Sequence, residues 1–446
     1  MLWNLNKRAA AYSLWRRIEI FEDEKRSAIS KLPFKLQMDF YEYARKAATR
    51  TAEQIKSERE KLSSISNLLK FRDIPEVLSR DLRVGAVDGS SSPTFSERLG
   101  YRIGVYTACY MVFDGGHVIS DKDDESMEGG YMMINQIGGI QQTKKILSLF
   151  MTAKEREMAL RCLKKYDVDL LLIDGSFYGF RTRCSEVKKL DLRNLGIEEY
   201  RTGGELIDHV LNLTRRLVKT GKAVGVIKRI RTSALDGWIL SNTWRKEYVL
   251  NRNDRSILRS LLPVGKYFDY KDIVEDEWSY LHYTSLVTWY DEMLRKGIIS
   301  QENSVDQNKK NAFEYVDRKL RVQITTDLAL ANTLDIAKDK VGEELVREII
   351  SRPRIHARLS RYAAPICLEL GEDVDLDIVL AYAFKNVNLA TGIPFPIDLV
   401  DELISVEKEL AKEFAEEIEA RLLLESEISS EEVEARLEPL NPQKET

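Results

Sequence analysis

The chain has 446 residues, 43% of them hydrophobic and 31% charged, an ordinary globular make-up that excludes disordered, collagen-like and disulfide-scaffold classes. The formal net charge is −4, yet residues 401–446 carry 15 acidic and 5 basic groups, leaving residues 1–400 with 57 acidic and 63 basic. A mildly basic body with an acidic tail does not exclude nucleic acid, because the surface that faces the phosphates is what matters.

In chain order, residues 1–80 read as helical: 9–21 and 40–65 are rich in Ala, Leu, Glu, Lys and Arg. Residues 82–87 form a short apolar strand that runs into Asp88-Gly89-Ser90 and a Gly/Ser/Pro turn. A long strand is predicted over 101–113, closed by Asp114-Gly115-Gly116, with 117–120 as its hairpin return and an acidic loop over 121–128. A helix follows over 141–165. The run 168–173 then reads as a strand buried on both faces, ending in Asp174-Gly175-Ser176. A second helix (206–219) leads to a buried strand, 223–227, followed at once by Lys228-Arg229-Ile230-Arg231. Residues 232–310 are aromatic-rich and read as an irregular insertion. Strands are predicted at 320–325 and 364–370, a long acidic helix from about Asp398, and a fraying end beyond about Ser426. The expected division is a helical region (1–80), the first part of the core (81–231), the insertion (232–310), the second part of the core with its C-terminal helix (311–425) and an acidic tail (426–446).

Three antiparallel strands, then helix, strand, helix, strand, predict a mixed α/β sheet in the order of an RNase H-like fold. The longest apolar stretches, such as 378–384, are far below the ~18 residues of a membrane span, and the N-terminus lacks signal-peptide order. The four cysteines form no CxxC, so a reducing cytoplasm is the expected location and no zinc site is suggested.

Two aspartates, Asp88 and Asp174, end buried strands in the same Asp-Gly-Ser context. Sites in open α/β sheets form outside the carboxyl ends of strands. Two carboxylates brought together there repel unless a cation neutralises them, and an oxygen-rich donor set suits Mg²⁺ or Mn²⁺. The helix before Asp174 offers Glu155 and Glu157. Glu157 shares a stripe with Ile146, Phe150, Ala153 and Leu160, Glu155 a sector with Met151 and Cys162, and the helical wheel does not separate them. Lys228 and Arg229 lie at the same sheet edge, where a cation meets a phosphate. No Walker A, GxGxxG or GxSxG motif occurs, and the four histidines have no metal-ligand spacing.

On Gly85-Ala86-Val87-Asp88-Gly89-Ser90, Leu171-Leu172-Ile173-Asp174-Gly175-Ser176-Phe177, Gly225-Val226-Ile227-Lys228-Arg229 and Gly392-Ile393-Pro394-Phe395-Pro396, the chain resembles the NurA family of archaeal and bacterial nucleases over roughly 80–405. The resemblance implies an RNase H-like core, a homodimer enclosing a channel, Mn²⁺-dependent DNA cleavage (Mg²⁺ as an alternative) and a hexameric HerA-type ATPase as partner in double-strand-break end resection. It also implies 5′→3′ exonuclease and single-strand endonuclease activity. The family's helix glutamate, about 17 positions before its second aspartate, selects Glu157. A family histidine after the Gly-x-Pro-x-Pro motif falls here on Asp401, with Glu402 and Asp398 as neighbouring alternatives.

The expectation is therefore a metal-dependent deoxyribonuclease. Asp88, Glu157, Asp174 and Asp401 are its candidate metal ligands, and Lys228, with Arg229 and Arg231, meets the DNA. A non-catalytic DNA-end scaffold and an actin-like ATPase or sugar kinase are the alternatives; the latter's loops place glycine two positions after Asp, whereas here it follows directly.

Overall fold

The structure is a computed structural model and describes residues 28–76, 81–120, 123–135, 139–275, 277–328, 340–425 and 428–441. The helix expected over 9–21 lies outside them. The chain forms two compact units, Met1–Ile65 and Ser66–Thr446. The first contributes one long helix, α1 (Phe34–Ser66), with no Gly or Pro inside it. Pro33 stands just before its first turn, where a missing N–H costs nothing.

The second unit is built on a mixed sheet. Its first half runs β1 (Arg72–Asp73), β2 (Arg83–Ser91), β3 (Ser96–Glu97), β4 (Tyr101–Asp114), β5 (His117–Val118) and β6 (Met127–Asn135). Then come α2 (Ile140–Tyr166), β7 (Leu170–Asp174), α3 (Arg181–Cys184), α4 (Gly203–Val218) and β8 (Ala223–Ile227). The second half adds α5 (Ala234–Thr243), α6 (Asp254–Leu261), β9 (Lys266–Asp269), α7 (Tyr280–Arg295), α8 (Val305–Asp327), α9 (Lys340–Ser351), β10 (Arg354–Ala357) and β11 (Ile366–Leu370). It closes with α10 (Leu376–Lys385), α11 (Phe395–Ile404), α12 (Leu410–Glu425) and α13 (Ser430–Leu437). The strand order is β1-β9-β10-β11-β8-β7-β2-β4-β3, with β5 and β6 also paired to β4. Strands β2, β7 and β8 are parallel, which requires crossovers; α2 and α4 supply them.

Alternation along these central strands feeds two cores. Val87, Leu171 and Ile173 face the layer of α2 and α4. Val84, Ala86, Leu170, Leu172, Val224 and Val226 face the opposite layer, packed with Val379 and Leu380 of α10 and Ile397 and Val400 of α11. That double burial is why β7 and β8 read as continuous apolar runs.

Several expectations differ from what the structure describes: β2 runs on past residue 87 to Ser91, the long helix expected from Asp398 is two helices, α11 and α12, broken at 405–409, and the end expected to fray beyond Ser426 forms α13. The strand that returns along β4 after its turn is chiefly β6, nine residues long, whereas the hairpin return β5 has two. The β-branched stretch 320–325 belongs to helix α8, where Ala312, Tyr315, Val316, Leu320 and Ile324 bury one helical stripe; tertiary packing overrides local strand propensity there. Residues 232–310 are largely helical and donate β9 to the main sheet. In the tail, α13 starts from a Ser429/Glu432 capping box, buries Val433 and Leu437, and is tied to the β3–β4 turn by Leu99 N donating to Glu438 O at 3.0 Å. No helix among the described residues is long and apolar enough to cross a membrane.

Candidate metal centre

The register sets the site. Val87 of β2 lies beside Ile173 of β7, so the next residues stand side by side: Asp174 at the end of β7 and Asp88 within β2, just past the last pair of the two strands. Asp174 in turn pairs with Val226 of β8, which places Lys228 just beyond. Asp88, Asp174 and Lys228 continue the alternation of Ala86, Leu172 and Val226, so they project toward the α10–α11 layer. Helix α11 brings Asp401 to the same spot. Its end is anchored to the sheet by Thr107 Oγ1 donating to Ile404 O (3.1 Å) and Val406 N donating to Ser90 Oγ (3.2 Å).

The outcome is a cluster in which Asp88, Asp174 and Asp401 each offer an oxygen within 4.8 Å of the others. Lys228 Nζ donates to Asp401 Oδ2 at 2.6 Å and lies 3.1 Å from Asp174 Oδ2. Its carbonyl accepts from Arg255 Nη1 at 2.5 Å, which fixes the backbone beneath the lysine. Gly175 makes the turn after Asp174 at φ +91°, a conformation that favours glycine. The loop is held by Phe177 N donating to buried Glu369 Oε2 (2.7 Å), while Arg354 Nη2 bridges Glu369 Oε1 (3.1 Å) and Ser176 Oγ (2.9 Å).

Burial pushes the Asp88 carboxyl up to about 9, with the nearby charges of Asp174 and Glu155 adding to it. Asp174 is also raised, first by burial, although Lys228 opposes this. Burial pulls Lys228 down, but Asp174 and Asp401 pull harder the other way, so its ammonium stays charged.

Of the three carboxylates open after the Gly-x-Pro-x-Pro motif, Asp401 is the one in the cluster. Asp398 accepts from Thr391 Oγ1, and Glu402 is exposed. Glu157 is not brought to the cluster: it pairs with Lys154 (2.9 Å) and His209 of α4 (3.0 Å). These partners outweigh burial and lower its pKa. Helix α2 buries two adjoining stripes, and the one carrying Glu157 runs to α4. The stripe of Met158, Ala159 and Cys162 lies against the sheet and carries Glu155. Glu155 is 4% exposed, and burial pushes it up to about 7. It also pairs with Arg156 Nη1 at 2.8 Å.

Around these groups lies a cleft of about 460 Å³, also lined by Arg156, Arg183 and Arg229. Arg231 is exposed and outside that lining. Sequence reasoning missed Glu155 as the sheet-facing glutamate, because both glutamates lie on buried stripes of α2 and only the docking of α4 separates them. It also missed Arg183, which follows a loop without any periodic signal.

All-oxygen donors at a converging sheet edge, with raised carboxyl pKa values, fit a hard divalent cation. A mixed sheet with a parallel centre and carboxylates at its strand ends defines an RNase H-like α/β protein. The chain belongs to the NurA domain family, whose model matches residues 82–406. The NurA nuclease from Sulfolobus solfataricus has the same fold at 14% identity, with a TM-score of 0.51 and coverage of 89% of this chain and 100% of that one. A NurA structure bound to dAMP and manganese matches at 14% identity and a TM-score of 0.40, covering 87% of this chain and 97% of that one. Endonuclease V from Ciona intestinalis matches at 14% identity and a TM-score of 0.28, covering 82% and 99%. No curated protein matches the chain by sequence.

Proposed function

We propose that the protein is a divalent-metal-dependent deoxyribonuclease that hydrolyses phosphodiester bonds. The observation that carries this reading is the convergence of Asp88, Asp174 and Asp401 within 4.8 Å beside a charged Lys228. A scaffold that only grips DNA ends has no use for a clustered set of half-neutralised carboxylates.

Asp88, Asp174 and Asp401 would hold the cation, with Glu155 beside them. When bound, Mn²⁺ or Mg²⁺ supplies Lewis acidity at the phosphate and lowers the pKa of a water. The chain's own groups do the rest. Lys228 Nζ directs its positive charge to where charge grows on the phosphate. Glu155, with its pKa near 7, exchanges a proton at a carboxylate oxygen around neutral pH. Arg229, exposed at the rim, meets the DNA backbone.

Membership in the NurA family supports the finer reading: 5′→3′ exonuclease and single-strand endonuclease activity, a homodimer, and action with a HerA-type hexameric ATPase at double-strand-break ends. The test is degradation of 5′- and 3′-labelled single- and double-stranded DNA with Mn²⁺, Mg²⁺ or EDTA, with and without the ATPase. Cleavage that needs the metal and is lost in Asp88→Asn is the expected result. DNA left intact by metal-saturated protein under every condition overturns the reading.

A further inference from the structure

The charges of the cleft divide unequally between groups that are paired and groups that are not. Lys228 is engaged by Asp174 and Asp401. Arg156 is engaged by Glu155, and its Nη2 donates to Ser176 O at 3.3 Å. Arg183 lines the same cleft, is half-buried, and has no carboxylate or hydrogen-bond acceptor for its guanidinium among the described residues. It stands on α3, directly after the Gly175–Phe180 loop that follows Asp174, so it is carried by the segment that fixes a metal ligand. The same loop is braced from behind by Glu369 and Arg354. Burial lowers its pKa, while Glu155, the acidic group that acts on it, pulls the other way.

A guanidinium with five donors, partly withdrawn from water and without a partner, is costly unless something anionic completes it. The cleft is roomy enough to admit such a group, and a phosphate oxygen pair matches the fork of donors. Carboxylates cannot play that part here, because each one lining the cleft is already turned to the cluster or to Arg156.

We propose that Arg183 forms a second phosphate subsite, holding the backbone phosphate that flanks the scissile one on the nucleic-acid strand. The inference rests on the nuclease reading for the identity of the strand, and it names a contact that reading does not use. Arg183 thereby sets how the strand lies across the carboxylates, whereas Lys228 addresses the phosphate that reacts. Such a contact is made equally before and during the reaction, so its removal raises KM more than it lowers kcat.

The experiment is binding of a fluorescent single-stranded oligonucleotide by the full chain, with Ca²⁺ replacing Mn²⁺, across a range of NaCl concentrations. Wild type, Arg183→Ala and Arg183→Lys are compared after circular dichroism and thermal melting establish that each is folded. Arg183→Ala should bind about tenfold more weakly and show a salt slope shallower by about 0.7, the loss of one single-strand phosphate contact. Arg183→Lys should retain the slope and fall between the two in affinity. Oligonucleotides with one methylphosphonate linkage at a time should reveal a position that weakens wild type but leaves Arg183→Ala unchanged, the signature of a direct pair. A folded Arg183→Ala with wild-type affinity and slope overturns the proposal. Binding weakened as expected, in a protein that cleaves nothing with Mn²⁺, sinks the nuclease reading and leaves the subsite standing. Equal weakening of Arg183→Ala and Arg183→Lys with no change of slope shows a packing effect and overturns the subsite.

Discussion

Glu155 packs over Gly89, the neighbour of Asp88: a Cβ built on Gly89 would lie 3.2 Å from Glu155 Oε2 and 3.2 Å from Met151 Cγ. Residue 89 has the parity of Val87, so a side chain there would point at α2, and its absence is what lets the glutamate approach. Gly89→Ala should therefore displace Glu155 by a few tenths of an ångström. Because misplacement of catalytic groups is felt steeply, we expect kcat to fall by about tenfold or more, with a melting temperature lowered by only a few degrees. Steady-state kinetics beside calorimetry test this; unchanged kcat would show that Glu155 is not used.

The two glutamates of α2 make a direct comparison. Glu155→Gln should reduce cleavage by about a hundredfold or more, the scale of losing a positioned acid–base group. Glu157→Gln breaks half-exposed pairs with Lys154 and His209 and should stay within about twofold of wild type. Cleavage rates of the two variants at saturating Mn²⁺ decide the matter, and the reverse order would restore Glu157.

Cation binding should release protons. Asp88 is pushed up to about 9 by burial and by its neighbours, so at pH 7 it holds a proton that a bound cation displaces. The sign follows: apparent affinity for Mn²⁺ rises from neutral pH toward pH 9 and levels off above it. Titration calorimetry in two buffers of different ionisation enthalpy reads the proton count directly. A count of zero at pH 7 would show Asp88 already ionised.

The pair behind the loop is a stability element. The Glu369 side chain is 2% exposed and that of Arg354 is 12%. Removing one partner strands the other, which costs about 3–5 kcal/mol for buried pairs. Glu369→Gln should unfold at correspondingly lower denaturant, and its residual folded fraction should bind Mn²⁺ more weakly because the loop bearing Asp174 loosens. Chemical denaturation monitored by fluorescence, followed by metal titration, checks both halves.

Legibility varied with the range of the interactions. Strands β2, β7 and β8 could be read locally, because runs apolar on both faces have few alternatives; Asp174 ends β7 as expected, whereas β2 runs on past Asp88 to Ser91 through its pairing with β4. Glu155 could not be told from Glu157: both sit on buried stripes of α2, and only the docking of α4 shows which stripe meets the sheet. The stretch 320–325 looked like a strand because Val, Ile and Thr dominate it, while the helical spacing that decides the matter starts at Ala312. Asp401 was reachable through a motif and Lys228 through a strand end. Arg183, on a four-residue helix after a loop, depends on long-range packing that leaves no mark on the neighbouring residues.

The carboxylate cluster joins distant parts of the chain, Asp88 and Asp174 from adjoining strands and Asp401 from α11, with Glu155 of α2 lining the same cleft. A polypeptide leaving the ribosome carries strands β2, β7 and β8 long before α11 emerges. Until then it possesses most of the acidic groups but not the complete set. The cluster of three can therefore close only once α11 has docked on the sheet.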